Sequence, residues 1–390
     1  MLGDLAGRCG DHAKNAPARV RSDIVAAEMS DSTSPLSSVY GNESYINQLL
    51  AKAVAAKASD IHLKVGIPPA ARVRGDLVFF RTEPLKPEDT ENIARVVIKD
   101  PKVKAEIASL REHDSAYAAA GVGRFRVNIY RQRGTIGIVM RAIPTKIPTF
   151  EDLGAPGPCA MLAEKDRGLV LVVGAAGNGK SSTLAAMIGH LNKSQPLHIV
   201  TIEDPIEFLH EDDKSSISQR EVGIDTTTFA DALRAALRQD PDVILLGEIR
   251  DELTLDIALK AAETGHLVLS TLHTPDVTRT VGRMLALAPK GQPGSSDEMR
   301  ERIGDALQGV IAQRLVPRKD QTGLILTAEV LVATGTVREA IKRPEGNPGM
   351  KELMEKGTHP YGMQTFEMHL KQLLQQGLID KDVARAAASF

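Results

Sequence analysis

The feature that most constrains this chain is an apolar run that breaks into a glycine loop: residues 168–182 read GLVLVVGAAGNGKSS. A short, continuous apolar run of this kind is typical of a strand buried on both faces of a parallel sheet. The loop after it fits the pattern GxxxxGK[ST], and the residues SSTLAAMIGHLN that follow have helical spacing. Strand, loop and helix therefore occur in the order that a phosphate-binding loop requires.

Each residue type in the loop suits a nucleotide phosphate. Glycines let the backbone curl so that successive N–H groups face phosphate oxygens, and the helix N-terminus adds partial positive charge. Lys180 is expected to reach the β and γ phosphates, and Ser181 offers a hydroxyl to Mg²⁺. A glycine turn that only packs helix on strand would need neither residue. We therefore expect ATP and Mg²⁺ as ligands, with nucleotide bound by Gly174, Ala175, Ala176, Gly177, Asn178, Gly179, Lys180, Ser181 and Ser182.

Strands and helices alternate after this loop. The segments HIVTIED, VILLGE and HLVLSTL read as strands, and TFADALRAALRQD reads as a helix between the first two. This alternation predicts a parallel, doubly wound core. Beyond Asp297 the pattern reads as mostly helical, apart from the strand-like LILTAEVLV. Residues 166–390 are thus predicted to form one α/β domain with a helical C-terminal part.

The chain before this domain divides into three predicted segments. Residues 1–41 mix small, polar and charged residues without periodicity, which is typical of a disordered extension. Residues 42–145 begin with a helical pattern and continue with the alternating SDIHLKVGIPPAARVRGDLVFF and RFRVNIYRQRGTIGIVMRAI, which predicts a small mixed α/β domain. The proline-rich residues 146–165 are predicted to be a linker.

Composition excludes several classes of protein. The 48 basic and 50 acidic residues give a net charge of −2, which disfavours a DNA-directed motor and predicts no nucleic-acid partner. Two cysteines are too few for a zinc module and are typical of a cytoplasmic protein. The longest apolar stretch is about half of the ~20 residues needed to span a bilayer, so we expect no direct membrane insertion.

Acidic residues end two of the predicted strands. VILLGE ends in Glu248, where a sheet of this kind directs a carboxylate toward the metal ion. TIEDPIEF carries Glu203, Asp204 and Glu207 at the carboxyl end of its strand, where doubly wound folds bind ligands. One of these three is expected to activate the attacking water. The residue types alone leave the choice open, and Asp204 could instead cap a helix.

Two further residue groups are candidates for the site. His266 and His273 bracket the strand in ETGHLVLSTLHT, and their separation makes a shared metal site less favoured than polar contacts beside the nucleotide. Arg124 and Arg126 share one face of a predicted strand. A pair of guanidinium groups suits the γ-phosphate, so these two are candidate arginine fingers acting across domains or subunits, although exposed arginines are often solvated charge.

The motifs resemble those of the type II/type IV secretion ATPase superfamily in order and spacing. GAAGNGKS corresponds to Walker A, TIEDPIEF to the Asp box, DPDVILLGEIRD to Walker B and AAETGHLVLSTLHT to the His box, and the resemblance extends over residues 43 to about 380. ASDIHLKVGIPPAARVRGDL, GRFRVNIYRQRG and the C-terminal GMQTFEMHLKQLLQQGLI are most similar to the PilT-type retraction ATPases of type IV pili. Assembly and secretion relatives carry a tetracysteine zinc insertion, which two cysteines cannot form.

The resemblance implies a role for each candidate residue. Glu203 becomes the catalytic glutamate, and Glu248 becomes the acid that faces Mg²⁺ directly or through water. His266 and His273 become the His-box residues, and the two arginines are drawn toward phosphate. The resemblance also implies a PAS-like N-terminal domain, a RecA-like C-terminal domain and a homohexameric ring with nucleotide at the domain and subunit boundaries.

The implied function is an ATP-hydrolysing motor for pilus retraction and twitching motility. The implied setting is the cytoplasm, peripheral to the inner face of the cytoplasmic membrane, with an inner-membrane platform protein and paralogous pilus ATPases as partners. Residues 336–345, TVREAIKRPE, depart from the AIRNLIRE-like helix of the retraction family. Three alternatives therefore stay open: an accessory PilU-like ATPase, an assembly or secretion ATPase, and a ring subunit that binds nucleotide without hydrolysing it.

Overall fold

The computed structural model describes residues 39–73, 75–144, 146–287 and 295–388, which fall into two compact units divided between Ala142 and Ile143. Of the predicted extension 1–41, residues 1–38 lie outside the described residues. Its last three residues, Val39–Gly41, form a 3-10 helix, and the Tyr40 ring is buried against Tyr45 with ring centroids 5.1 Å apart. These three residues therefore belong to the first unit, because Tyr40 is part of its core.

The first unit is an antiparallel sheet with helices against one face. Its elements are α1 (Glu43–Ala55), β1 (Ala58–Lys64), β2 (Ala70–Val73), β3 (Asp76–Phe79), α2 (Pro87–Val97), α3 (Pro101–Ala105), β4 (Glu112–Ala119), β5 (Gly123–Gln132) and β6 (Thr135–Ala142). The strand order is β3-β2-β1-β6-β5-β4. Apolar side chains of α1 and α2 join those of the strands in one core.

Strand β5 illustrates how the sequence pattern selects the two faces of this sheet. Phe125, Val127 and Ile129 are buried, whereas the residues between them are more exposed. Because side chains alternate along a strand, Arg124 and Arg126 lie together on the face opposite the core. The predicted shared face of these two arginines agrees with this geometry.

The second unit is built on a largely parallel sheet. Its elements are α4 (Phe150–Leu153), α5 (Pro158–Ala163), β7 (Gly168–Val173), α6 (Lys180–Ser194), β8 (His198–Glu203), β9 (Ser216–Glu221), α7 (Phe229–Ala236), β10 (Val243–Leu246), α8 (Glu252–Glu263), β11 (Leu267–Leu272), α9 (Val277–Ala286), α10 (Ser295–Ala306), β12 (Leu307–Pro317), β13 (Leu324–Val332), α11 (Gly335–Lys342), α12 (Met350–Lys356), α13 (Phe366–Gln375) and α14 (Lys381–Ala388).

Within the described residues the strand order of this sheet is β13-β12-β7-β11-β10-β8-β9. Neighbouring strands run parallel except β13, which is antiparallel to β12. All residues of β7, β10 and β11 are buried, since helices cover both faces. The predicted fold class, a mixed α/β unit followed by a P-loop domain with a helical C-terminal part, is confirmed.

Strand β12 corrects the prediction that the chain beyond Asp297 is mostly helical. Its sequence LQGVIAQRLVP has short apolar runs separated by polar residues, a pattern that also fits a helix. The tertiary context decides the outcome, because β12 pairs with β7 on one side and with β13 on the other. The strand thereby lies directly beside the glycine loop.

The predicted linker, residues 146–165, is also structured. It contains α4 and α5 and belongs to the second unit, where Cys159 and Leu162 are fully buried in the core. Proline misled the prediction here because Pro158 occupies the first turn of α5, a position where its missing N–H costs nothing.

Within the described residues, no helix is both long and apolar enough to cross a membrane.

Candidate nucleotide-binding and hydrolysis site

The parallel sheet brings the main sequence motifs to one edge. Strands β7, β8, β10 and β11 run in the same direction, so their carboxyl ends lie at the same side of the sheet. Those ends carry the loop 174–179, Glu203, Glu248 and His273 respectively. Motifs separated by many residues in sequence therefore face a common space.

The loop has the backbone shape that its glycines predict. Gly174, Gly177 and Gly179 have φ angles of 148°, 80° and 77°. A Cβ at position 174 would lie 2.6 Å from the backbone oxygen of Gln313 on β12, so position 174 requires glycine for space as well as for φ. Ala175 and Ala176 form the exposed side of the loop.

Lys180 begins α6 and folds back over the loop. Its Nζ donates to the backbone oxygens of Gly174 and Ala175 at 3.0 and 3.1 Å. Burial lowers the pKa of this ammonium group, and the carboxylates of Glu248 and Glu207 act in the opposite direction. Two carbonyl oxygens of the loop thus hold the lysine ammonium group over the loop.

Strand β12 supports the loop through contacts that the sequence did not predict. The Asn178 Oδ1 accepts from the Leu315 N–H at 3.3 Å, and the buried Gln313 Nε2 donates to Thr183 Oγ1 on α6 at 2.6 Å. These partners are more than a hundred residues apart in sequence, and β12 itself had been read as helical. A correct strand assignment would have placed this alternating pair of residues beside the loop.

Glu203 ends β8 in a half-buried position. Its Oε1 accepts from Thr201 Oγ1 at 2.7 Å and from Gln219 Nε2 at 3.1 Å, and its Oε2 accepts from the Glu207 N–H at 3.4 Å. Burial raises the pKa of Glu203, and the three hydrogen bonds oppose that shift. A carboxylate with a raised pKa is suited to accept a proton near neutral pH.

Glu248 lies in a cluster of charged side chains after β10. Its carboxylate accepts from Arg250 and lies 3.4 Å from His273 Nε2. The Arg250 guanidinium also lies 3.6 Å from Asp204 Oδ2. Hydrogen bonding to Arg250 is the main cause that lowers the pKa of Glu248, which favours the ionised carboxylate. Asp204 therefore pairs with an arginine and caps none of the described helices.

Arg250 is a functional candidate that the sequence prediction missed. The residue follows the Walker B acid by two positions, and its guanidinium also lies over the Phe229 ring at 5.8 Å. The sequence GEIRD does place a cation two residues from an acid that is expected to face the metal ion. The contact of Arg250 with Asp204 depends on how the two strand ends lie in the sheet, which only the structure shows.

His266 departs from the expectation that both histidines lie beside the nucleotide. It precedes β11, whereas His273 follows it, so the two residues lie at opposite edges of the sheet. The His266 Nδ1 lies 3.0 Å from the Ala261 oxygen and closes the turn between α8 and β11. Within one chain, only His273 of this pair reaches the edge that carries the loop.

Arg124 and Arg126 belong to the first unit and the glycine loop to the second. Arg126 is exposed and lies directly opposite Arg141 of β6 in the sheet register. Arg141 in turn donates to Asp60 at 2.9 Å, so the open face carries a row of charged side chains across three strands.

The donor set fits Mg²⁺ bound jointly with phosphate. Among the described residues, no group of three or more His, Cys, Asp or Glu side chains is placed to hold a metal ion. Ser181 in the first turn of α6 and Glu248 offer hard oxygen atoms, the ligands that Mg²⁺ prefers when substrate phosphates and waters complete its shell. Ser181 and Ser182 are both half-buried beside the loop.

A buried strand, a glycine loop with an inward lysine, and carboxylates at the ends of two other strands of the same sheet together define a P-loop nucleotide-binding domain. The family described as type II/IV secretion system protein matches residues 39–377. The chain belongs to that family.

Two curated relatives and one solved structure extend the comparison. The type IV pilus retraction ATPase PilT of Pseudomonas aeruginosa is 40% identical over 345 residues, which is 88% of this chain and 98% of that protein. The type IV pilus ATPase PilU of the same organism is 40% identical over 341 residues, 87% of this chain and 88% of PilU. The crystal structure of the pilus retraction motor PilT with bound ADP is 40% identical, covers 88% of this chain and 97% of that chain, and has a TM-score of 0.80. This chain is accordingly an ATPase of the family.

Proposed function

We propose that this protein is the ATP-hydrolysing motor of type IV pilus retraction, acting as a homohexamer with Mg²⁺. The observation that carries the proposal is the convergence of Lys180, Glu203 and Glu248 on one sheet edge, combined with similarity to a retraction ATPase over 98% of that relative. The site accounts for turnover, and the full-length similarity supports its use in retraction.

The residues of the loop bind and orient the triphosphate. Backbone N–H groups of 174–179 and the start of α6 face the phosphate oxygens, and Lys180 exchanges its bonds to Gly174 and Ala175 for bonds to phosphate. Ser181 and Glu248 would hold Mg²⁺, which when bound would neutralise charge at the departing phosphate. Glu203 orients a water and takes its proton.

The arginines of the first unit complete the site in a ring. Arg124 and Arg126 stabilise charge on the γ-phosphate, from their own or a neighbouring subunit, as an arginine finger does. Turnover in the ring is thereby coupled to mechanical work. The ring works in the cytoplasm against an inner-membrane platform protein.

The second candidate is an accessory role, because PilU is as similar to this chain as PilT is. Residues 336–345 do not decide between them. Ile341 is buried, and Arg338 donates to the backbone oxygens of Gly304 and Asp305 at 2.6 Å each, so the residues retained from the retraction motif anchor α11 to α10. The residues that differ from the retraction motif thus surround two residues, Arg338 and Ile341, that hold α11 in place.

The test is deletion of the gene, with surface pili counted and surface motility tracked. Excess pili with lost motility is the expected result for a retraction motor. Bald cells would identify an assembly motor, and unchanged pili and motility would identify an accessory paralogue. A complemented strain carrying Lys180→Ala separates the need for turnover from the need for the protein itself.

A further inference from the structure

Gln219 contacts both the candidate base and the segment that follows it. It lies on β9, and the parallel register pairs it with Thr201 on β8, on the same face as Glu203. Its Nε2 lies 3.1 Å from Glu203 Oε1 and 2.9 Å from the backbone oxygen of Phe208. Its Oε1 accepts from the His210 N–H at 2.8 Å.

The backbone contacts fix which way the amide of Gln219 points. The His210 N–H is a donor and needs the amide oxygen, whereas the Phe208 carbonyl is an acceptor and needs the amide nitrogen. Both requirements place Nε2 on the side of Glu203, so the donor is oriented before any ligand binds. Gln219 is therefore preorganised to hold one carboxylate oxygen.

The two oxygens of Glu203 consequently differ. Oε1 accepts from two side chains, Thr201 and Gln219, on adjacent strands. Among the described residues, the hydrogen bond to Oε2 comes from the Glu207 N–H and is longer, at 3.4 Å. A carboxylate oxygen has capacity for further hydrogen bonds, and that capacity lies on Oε2.

We propose that Gln219 is a positioning residue for ATP hydrolysis: with Thr201 it holds Glu203 Oε1, so that Oε2 accepts the proton of the attacking water. The assignment rests on the proposed function of Glu203 as base. In this step the water oxygen bonds to the γ-phosphorus and its proton passes to Oε2. The bond from the γ-phosphorus to the bridging oxygen breaks, and its electron pair leaves on ADP.

The charges around Glu203 give the direction of a pH effect. Burial and the Glu207 carboxylate raise its pKa, while the hydrogen bonds from Thr201, Gln219 and the Glu207 N–H lower it. Asp204, the next residue along, is paired with Arg250. Removing the Gln219 donor therefore raises the pKa of Glu203 further. The acidic limb of the pH dependence of turnover should then move to higher pH.

The test compares kcat and KM across pH for the full-length protein and for Gln219→Leu, with Ser218→Ala, an exposed neighbour on β9, as control. We expect kcat to fall about tenfold at neutral pH and to recover partly at higher pH, with KM within about twofold, because positioning acts on the chemical step. Gln219→Glu keeps an acceptor for the His210 N–H but adds negative charge beside Oε1. The acidic limb of its kcat–pH profile should therefore shift to still higher pH than that of Gln219→Leu. An equal loss of kcat at every pH, or a parallel rise in KM, would overturn the proposal.

A second measurement separates this proposal from the function on which it rests. In a Glu203→Gln background, Gln219→Leu should cause no further loss of turnover. If Glu203→Gln alone kept wild-type turnover, the base itself would be misassigned. If Glu203→Gln were inactive but Gln219→Leu kept the wild-type pH profile, the positioning role alone would be wrong.

Discussion

Strand β5 of the first sheet alternates buried and exposed side chains, whereas β7 and β11 of the second sheet are buried along their whole length. The antiparallel sheet has one open face, so its functional candidates lie in rows on that face. The parallel sheet is covered by helices on both faces, so its functional groups are confined to the strand ends. The position that makes a charged residue a functional candidate therefore differs between the sheets. In the first sheet the residue must lie on the open face, and in the second it must lie at the carboxyl end of a strand.

The largest expected effect lies at the edge of the parallel sheet. Lys180→Ala removes the cation held over the loop, and we expect ATP turnover to fall by about 10²-fold or more because phosphate charge is no longer stabilised. Steady-state phosphate release checks this. Lys193→Ala, at the exposed far end of the same helix, is the matched control and should retain turnover. An equal loss of turnover in both variants would contradict the assignment of the nucleotide site to the carboxyl ends of the parallel strands.

The open face of the antiparallel sheet gives the next largest effect. Arg126→Ala should lower turnover by about tenfold or more without destabilising the fold, because an exposed side chain opposite the core adds little to stability. Arg133→Ala, at the exposed turn after β5, is the matched control. Phosphate release and thermal unfolding of both variants decide the point.

Mixed rings show whether the arginines act between subunits. Combining Arg124→Ala subunits with Glu203→Gln subunits should restore part of the activity that each variant lacks alone. If no mixing ratio restored activity, Arg124 would not act as an arginine finger between subunits. The open face of the first sheet would then have no such role.

The two ends of β11 give a smaller, sharper comparison. His273→Ala removes a partner of Glu248 and should lower turnover several-fold with little effect on stability. His266→Ala removes the contact with Ala261 and should cost about 1 kcal/mol of folding free energy while turnover is retained. Chemical denaturation and phosphate release on both variants test this, and a reversed pattern would show that position along the strand does not separate the two roles.

The prediction with the smallest expected effect on turnover is a pH dependence of stability. Burial lowers the pKa of His210 to about 4, from an ordinary value of 6.5. The unfolded state therefore binds the proton first, and stability should fall as the pH drops from about 6.5 toward 4. His210→Gln should flatten that decline in urea unfolding midpoints, whereas substitution of the exposed His359 should not. Parallel curves for wild type and His210→Gln would contradict the effect.

The site was predictable from sequence where its signals are local. The strand, loop and helix around Lys180 are adjacent in the chain, and parallel strands imply that Glu203 and Glu248 share an edge. Predictions failed where tertiary context decides. The sequence of β12 could not be told from that of a helix. Because β12 was not recognised as a strand, the contact of Gln313 with Thr183 was also missed. The partners of Gln219 depend on which strand neighbours β8, which no local pattern specifies.

The position of His266 was predictable in principle. A strand of six residues separates it from His273, and a parallel strand brings only its carboxyl end to the ligand edge. Sequence reasoning treated the pair as a unit because both belong to one motif. Strand direction, rather than motif membership, decides which residues can meet within one chain.

The most direct test of the central claim is Glu203→Gln, assayed for both nucleotide binding and phosphate release. The amide keeps the size of the side chain but cannot accept the water's proton. We predict that ATP binds with nearly unchanged affinity and that turnover falls by about 10²-fold or more. Wild-type phosphate release from Glu203→Gln would contradict the assignment of this sheet edge as the site of hydrolysis.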